Sequence, residues 1–181
     1  MQTQASSLPF VPFLPLFETR PRLAACKLGL VLAMLKVLMA LLLFWLITFV
    51  SEEYRGKSAA AGLVDAHPAY VLFIAIMFAP LWETIPGQVV PIELLRSLRA
   101  HWSICVLASG TVFGVGHFLN GGLAHGVETF LMGLVIGYGY VAARPYGLGP
   151  AFITAATAHA CHNATLLLVV APLWTSLEKL A

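Results

Sequence analysis

The chain has 181 residues, with ten basic and eight acidic side chains, a net charge of +2 and a hydrophobic fraction of 60%. Its charged fraction is 10%, whereas soluble domains carry roughly 25% charged residues, so the charges are too few to cover a soluble enzyme. The hydrophobic content excludes a disordered chain, the small net charge gives no indication of nucleic-acid binding, and an integral membrane protein remains.

Five apolar stretches are long enough to cross a membrane, since a spanning helix needs about 20 mostly apolar residues. We predict an all-α polytopic membrane bundle of about five transmembrane helices, with residues 1–22 as a juxtamembrane arm and residues 23–181 as one bundle. The loops are short, so any chemistry takes place inside the bundle. In chain order, the predicted spans are about Leu28 to Val50, Ala69 to Val90, Ser103 to Leu119, Gly126 to Ala143 and Gly149 to Trp174.

The distribution of Lys and Arg predicts the orientation of the bundle. Six cations lie on the side of the N-terminus and three on the opposite side, so we expect an integral protein of a bacterial plasma membrane with a cytoplasmic N-terminus. The six are Arg20, Arg22, Lys27, Arg96, Arg99 and Arg144, and the three are Arg55, Lys57 and Lys179.

The N-terminal arm is punctuated by Pro9, Pro12 and Pro15. Three interpretations stay open: it lies at the membrane interface, it docks on a partner, or it is a poorly ordered terminus. The first span is too long for the apolar part of a signal peptide, which usually has 7–15 residues. We therefore expect the first span to be a membrane helix.

Two pairs of glycines have the GxxxG spacing that lets membrane helices approach closely. Gly110 and Gly114 lie in the third predicted span, and Gly133 and Gly137 lie in the fourth. We therefore predict that these two spans are neighbours in the bundle.

Several polar side chains lie at membrane depth, where an ionisable group costs roughly 2.5–3.5 kcal/mol on insertion scales and normally has a partner or a task. Glu83 is in the second span, and His117 is near the end of the third. In the fifth span, His159 and Asn163 are four residues apart and share a helix face, with His162 at its edge. If these faces meet near Glu83, a carboxylate, two imidazoles and an amide surround one polar cavity.

The same residues form three motifs in a fixed order. Phe113-Gly-Val-Gly-His117 is an FxxxH motif, His159-Ala-Cys-His-Asn163 is an HxxxN motif, and both follow Ala79-Pro-Leu-Trp-Glu83. With this set, about residues 70–170 resemble the CPBP family of CAAX prenyl proteases and bacteriocin-processing, or "Abi", membrane proteins.

The first motif departs from the family pattern, EExxxR. The first glutamate is present as Glu83, but Thr84 stands in place of the second glutamate and Gln88 in place of the arginine. Pro86 and Gly87 follow directly, and we expect them to weaken or end the helix after Glu83.

The resemblance implies an intramembrane peptidase without a metal or other cofactor. Glu83 and His117 would activate a water molecule as general base, and His159 and Asn163 would stabilise the oxyanion. The expected partners are membrane lipid and a peptide or membrane-protein substrate, with other membrane subunits for the silent-subunit alternative given below and no nucleic acid.

Some of these polar residues also have a purely structural interpretation. Glu83 could be a structural carboxylate paired with a histidine, and His162 is expected to be a packing residue beside the site. His125 and Glu128 are three residues apart, which predicts a structural pair at a helix start near the interface.

Three rival functions also remain open. The first is a metal site built from carboxylate and imidazole groups, and the second is a haem protein with histidine ligands from different helices. The third is a catalytically silent subunit that assembles or stabilises a larger membrane complex. The residues available to a metal are Glu83, His117, His159 and His162.

Overall fold

The computed structural model describes residues 11–56 and 65–173. Within these ranges, five helices are long and apolar enough to cross a membrane, which confirms the predicted all-α polytopic bundle. Two short helices, α1 (Leu14–Thr19) and α3 (Glu52–Arg55), flank the first span. The five spans are α2 (Pro21–Ile47), α4 (Pro68–Ser97), α5 (Trp102–Gly121), α6 (Leu123–Tyr146) and α7 (Leu148–Leu173).

Helices α2 and α4 extend furthest beyond their predicted ends. Helix α2 begins at Pro21 rather than near Leu28, because proline is pre-organised for the first helical position. Helix α4 continues to Ser97 rather than ending near Val90. The predicted end of the fifth span at Trp174 lies outside the described residues, as do Pro9 and the cations Lys57 and Lys179.

Helix α4 does not end at Pro86 and Gly87. It continues through them as a π-helical turn, Ile85–Val89, and a second π-helical segment, Phe73–Phe78, lies before Glu83. A proline lacks the amide that the α-helical ladder needs, and this helix widens there instead of stopping. Such π-turns inside helices are frequent at functional sites.

The predicted contact between the third and fourth spans, α5 and α6, is confirmed. A Cβ atom built on Gly114 would lie 2.6 Å from Phe130 Cβ, and one built on Gly133 would lie 3.0 Å from the Cα of Gly110. The two helix backbones are therefore too close for larger side chains at these positions, as in other small-residue membrane interfaces.

Helices α2 and α7 also pack closely and run in the same direction. The Thr154 hydroxyl donates to the Ala25 carbonyl at 3.3 Å, and a Cβ atom on Gly29 would lie 2.7 Å from Thr157 Cβ. Later residues of α2 therefore meet later residues of α7, which fixes the register of the polar side chains further along both helices.

The described part of the N-terminal arm packs on the bundle itself. Phe17 of α1 is 1% exposed, and its ring stacks on Tyr146 with centroids 4.6 Å apart. The arm thus covers the end of the bundle where α6 turns into α7.

An ion pair ties the last turns of α4 to α6 at that same end. The Arg144 guanidinium donates to both oxygens of Glu93, at 2.6 Å and 2.9 Å, and the Tyr140 hydroxyl donates to the same carboxylate at 3.0 Å. Bidentate pairs of this kind are short and directional, so this contact holds α4 in place.

At the opposite end, the chain after α2 crosses the turn between α5 and α6. A Cβ atom on Gly122 would lie 2.9 Å from Gly56 Cα, and both glycines have positive φ, 86° and 74°. Only glycine adopts these angles without strain while two backbones touch. Within the segment after α2, the Arg55 guanidinium donates to the Val50 carbonyl at 2.7 Å.

Candidate active site

The polar side chains of three spans lie at a similar depth. At about 1.5 Å per residue, His117 is roughly 6 Å from the end of α5 at Gly121 and roughly 22 Å from its start at Trp102, whereas Glu83 lies near the middle of α4. The site therefore lies nearer to the Arg55 end of the bundle than to the end that carries the Glu93 pair.

One carboxylate oxygen faces two imidazoles. Glu83 Oε2 is 3.5 Å from His117 Nε2 and 3.9 Å from His159 Nε2. Both distances are longer than a direct N–H···O bond, as is common in catalytic sites without substrate. The structure thus brings together three of the four predicted site residues, from α4, α5 and α7.

The FxxxH motif orients His117. Its Nδ1 lies 2.8 Å from the Phe113 carbonyl oxygen, and because a carbonyl can only accept, Nδ1 carries the hydrogen. In the neutral imidazole Nε2 then has a free lone pair directed at Glu83. The Phe113 ring packs 4.4 Å from the His117 ring and 5.4 Å from the His159 ring, so one aromatic side chain positions both histidines.

Asn163 lies one turn beyond His159 and is bonded to α4. Its Nδ2 donates to the Ala75 carbonyl at 2.8 Å, inside the π-helical segment Phe73–Phe78. That bond uses one of the two amide hydrogens and leaves the second as a donor. Asn163 therefore joins the two helices that carry Glu83 and His159.

The two positions that depart from the family pattern are buried and uncharged. Thr84 and Gln88 are both 0% exposed. The Thr84 hydroxyl donates back to the Pro80 carbonyl at 2.6 Å. The side-chain amide of Gln88 has no hydrogen-bond partner among the described residues. Neither residue therefore brings a charge to the interior of the bundle.

The structure adds a buried lysine that the sequence interpretation treated only as an interruption of the first span. Lys36 is 1% exposed and interacts electrostatically with Glu83 and Glu128. In the structure Lys36 continues the buried stripe of Leu28 and Leu32 at intervals of four residues. The other faces of α2 are also apolar, so the sequence alone does not show which stripe is buried.

The predicted pair of His125 and Glu128 is confirmed, with Nδ1 and Oε2 3.7 Å apart. It is not separate from the site, however. The His125 ring contacts the His117 ring edge-on, with centroids 5.2 Å apart. The pair at the start of α6 therefore supports the histidine that faces Glu83.

His162 occupies the position beside the site that its spacing predicts. It is 5% exposed, interacts electrostatically with Lys36 and His159, and its Nδ1 has no hydrogen-bond partner among the residues described. Across residues 11–56 and 65–173, no three His, Cys, Asp or Glu side chains converge in an arrangement that could hold a metal ion.

Comparison with known proteins gives one match. The profile of the Rce1-like family, whose members are described as type II CAAX prenyl endopeptidases, matches residues 65–165, more than half of the chain. Searches of curated proteins and of solved structures return no match. The matched segment holds Glu83, His117, His159 and Asn163, in agreement with the resemblance of the motifs. The chain therefore belongs to the Rce1-like family of CAAX prenyl endopeptidases, a family of membrane peptidases.

Proposed function

We propose that this protein is an intramembrane endopeptidase that cleaves a peptide bond near the C-terminus of a prenylated, membrane-bound substrate. The observation that carries the proposal is the shared carboxylate oxygen: Glu83 Oε2 faces His117 Nε2 at 3.5 Å and His159 Nε2 at 3.9 Å. A water molecule bound beside this oxygen can pass a proton to Glu83. The hydrogen-bond donors of His159 and Asn163 are within reach on the other side.

In the first step, the water oxygen attacks the carbonyl carbon of the substrate and its proton passes to Glu83. His117 holds the water through the Nε2 lone pair that its bond to Phe113 leaves free. A carboxylate and an imidazole can share this proton transfer near neutral pH.

The oxyanion that forms accepts hydrogen bonds from His159 Nε2 and from the second amide hydrogen of Asn163. His159 Nδ1 is buried without a partner among described residues, which agrees with a neutral ring that carries its hydrogen on Nε2. Fixed donors in a site that excludes bulk water stabilise such an oxyanion strongly. The carbon–nitrogen bond then breaks, and the proton on Glu83 passes to the leaving amine.

The surroundings of Glu83 support a substrate that arrives from the bilayer. The Glu83 side chain is 32% exposed, and its neighbours Leu81 and Trp82 are exposed apolar side chains. Helix α4 is also the least buried of the five spans. An apolar prenyl chain on the substrate can therefore lie against this face while the peptide bond approaches Glu83.

The test is hydrolysis of a farnesylated peptide with a CAAX terminus by protein reconstituted in liposomes. Released C-terminal peptide is measured by mass spectrometry for the wild type, Glu83→Gln and the matched control Glu18→Gln, whose side chain is exposed on α1. We expect Glu83→Gln to lose about 10²–10⁴-fold in rate and Glu18→Gln to keep wild-type activity.

Equal rates for the wild type and Glu83→Gln would contradict the proposal. A folded wild type that releases no peptide, but is recovered in stoichiometric association with other membrane subunits, would favour the silent assembly subunit. Thr84 and Gln88, which bring no charge to the buried positions where the family pattern has charged residues, are the feature that makes this second function worth testing.

A further inference from the structure

Gly87 of helix α4 packs directly on an aromatic ring of helix α5. A Cβ atom built on Gly87 would lie 2.7 Å from Cδ2 of Phe113 and 3.5 Å from its Cε2. Apart from the local helix backbone and the adjacent residues, the three atoms nearest to this Cβ all belong to that ring. The ring thus occupies the space that any larger residue at position 87 would need.

The Gly87 carbonyl makes a second contact with α5. In an α-helix this carbonyl would accept a hydrogen bond from the amide of residue 91, but Pro91 has no amide hydrogen. The hydroxyl of Ser109, which is 0% exposed, donates to the Gly87 carbonyl at 2.9 Å. Because Ser109 and Phe113 are four residues apart, they lie on one face of α5. Gly87 is therefore held at two points by that face.

Two glycines of helix α6 pack against the same two residues of α5. A Cβ atom on Gly133 would lie 3.0 Å from Phe113 Cβ, and one on Gly137 would lie 2.9 Å from Ser109 Oγ. Phe113 is also only 5% exposed. A ring displaced by a larger residue at position 87 has no open space to enter, so its other contacts must change.

The Phe113 ring connects Gly87 with both histidines of the site. Its centroid lies 4.4 Å from that of the His117 ring and 5.4 Å from that of the His159 ring. Both imidazoles face the same oxygen of Glu83. We propose that Gly87 is a positioning residue of the active site: through the Phe113 ring it sets where the two histidines lie relative to the catalytic carboxylate.

The family motif does not assign this role. Position 87 is one of the three places that the EExxxR pattern leaves open. The effect of Gly87 on catalysis rests on the proposed function, whereas its contact with the Phe113 ring does not.

The position of the ring is tested by NMR of protein labelled with ¹³C-histidine, without any substrate. An aromatic ring shifts the resonances of protons close to it, so a displaced ring changes those shifts. We expect Gly87→Ala to move the imidazole signals of His117 and His159, while those of the exposed His101 stay in place. The control Gly149→Ala, whose new Cβ has no atom within 4 Å, should move none of them. Unchanged signals of both site histidines in Gly87→Ala would overturn the proposal.

A double-mutant cycle in thermal unfolding tests the contact itself. Gly87→Ala overpacks the interface, so we expect the Tm to fall by roughly 2–10 °C. In a Phe113→Ala background the ring is gone, and the same substitution should leave the Tm unchanged or raise it. Equal losses in both backgrounds would overturn the proposal.

If Gly87→Ala does not accumulate as folded protein, Ser109→Ala takes its place in the NMR and rate measurements. This substitution removes the hydrogen bond to the Gly87 carbonyl and adds no atom. It should move the imidazole signals of the same two histidines, and unchanged signals would then overturn the proposal.

The effect on catalysis is tested by kcat and KM for the farnesylated peptide, per folded molecule. A misplacement of catalytic groups by about 1 Å can cost about 10²-fold in rate. We expect Gly87→Ala to lower kcat about 10–100-fold with KM within a few-fold of wild type, and Gly149→Ala to keep both values. Displaced imidazole signals together with a wild-type kcat would overturn the positioning role.

These experiments separate the two proposals. If the wild type releases no peptide, the proposed function fails, and the NMR and unfolding measurements still decide whether Gly87 sets the ring and the histidines. If the wild type is active and Gly87→Ala changes neither the imidazole signals nor kcat, the proposal for Gly87 fails alone.

Discussion

Two carboxylates on helix α4 have opposite surroundings. Glu93 receives two hydrogen bonds from Arg144 and a third from Tyr140, all within 3.0 Å. Glu83 has only histidine nitrogens near it, at 3.5 Å and 3.9 Å. A carboxylate saturated by short bonds has little capacity left to accept a proton. A carboxylate that has only longer contacts with imidazole nitrogens keeps that capacity, so Glu93 serves stability while Glu83 is suited to chemistry.

The first prediction concerns the two neighbouring histidines of α7. His159→Ala removes the imidazole that faces Glu83 and, in our mechanism, an oxyanion donor. We expect the rate of peptide release to fall about 10²–10³-fold. His162→Ala, three residues away and without an ion pair to Glu83, should keep most of the activity. Similar losses in both variants would contradict the assignment of His159.

The second prediction concerns Glu93, whose carboxylate is saturated by short hydrogen bonds. Arg144→Ala leaves Glu93 without its main partner, so we expect the free energy of unfolding to fall by about 2 kcal/mol, less than for a fully buried pair because both side chains are partly exposed. Arg22→Ala, at an exposed position of α2, serves as control. Unfolding in denaturant checks both variants. An unchanged stability of Arg144→Ala would show that the pair does not hold α4.

The third prediction tests the close contact between α5 and α6. Gly114→Ala places a Cβ atom 2.6 Å from Phe130 Cβ, so α5 and α6 must separate, at a cost of about 1–3 kcal/mol. Gly116→Ala, on the same helix, has no atom within 4 Å of the new Cβ and should be neutral or slightly stabilising. The Tm of each variant measures the difference, and equal values would argue against the close contact.

The smallest expected effect is that of His125. His125→Ala removes the ring that contacts His117 at 5.2 Å, a contact of about 0.5–1.5 kcal/mol. We therefore expect a loss of roughly tenfold or less in the rate of peptide release. A loss as large as that of His159→Ala would mean that His125 takes a direct part in the reaction.

Local patterns in the sequence predicted much of the fold. Hydropathy and length predict five spans, and the glycine spacing predicts the contact between α5 and α6, because both depend on residues close together in the chain. The four-residue spacing of Phe113 and His117, and of His159 and Asn163, likewise predicts which side chains share a face. The family resemblance supplied the order of the motifs and therefore the expectation that they meet Glu83.

Features that depend on packing between distant segments were not predictable in this way. Glu93 and Arg144 are 51 residues apart, and nothing local in the sequence pairs them. The burial of Lys36 depends on which face of α2 meets α7, and the passage of α4 through Pro86 depends on a widened turn that tertiary contacts stabilise. Each of these features affects the site. The sequence therefore predicts the residues of the site better than it predicts the electrostatics of the site.

The orientation of the bundle stays a prediction, and it bears on the function because the site lies nearer to the Arg55 end. Cysteine labelling in intact cells decides the orientation of the bundle. Glu18→Cys and Glu53→Cys serve as two exposed reporter positions on opposite ends of the bundle. A cytoplasmic N-terminus predicts labelling from outside at position 53 only. Labelling from outside at position 18 would reverse the orientation.

The different roles of the two carboxylates are measured by comparing Glu83→Gln with Glu93→Gln in the same liposome assay. We predict that Glu83→Gln stays folded and loses about 10²–10⁴-fold in the rate of release from the farnesylated peptide. Glu93→Gln should lower the Tm and keep the rate per folded molecule within a few-fold of wild type. Wild-type activity in Glu83→Gln, or an equal loss in a well-folded Glu93→Gln, would contradict the account.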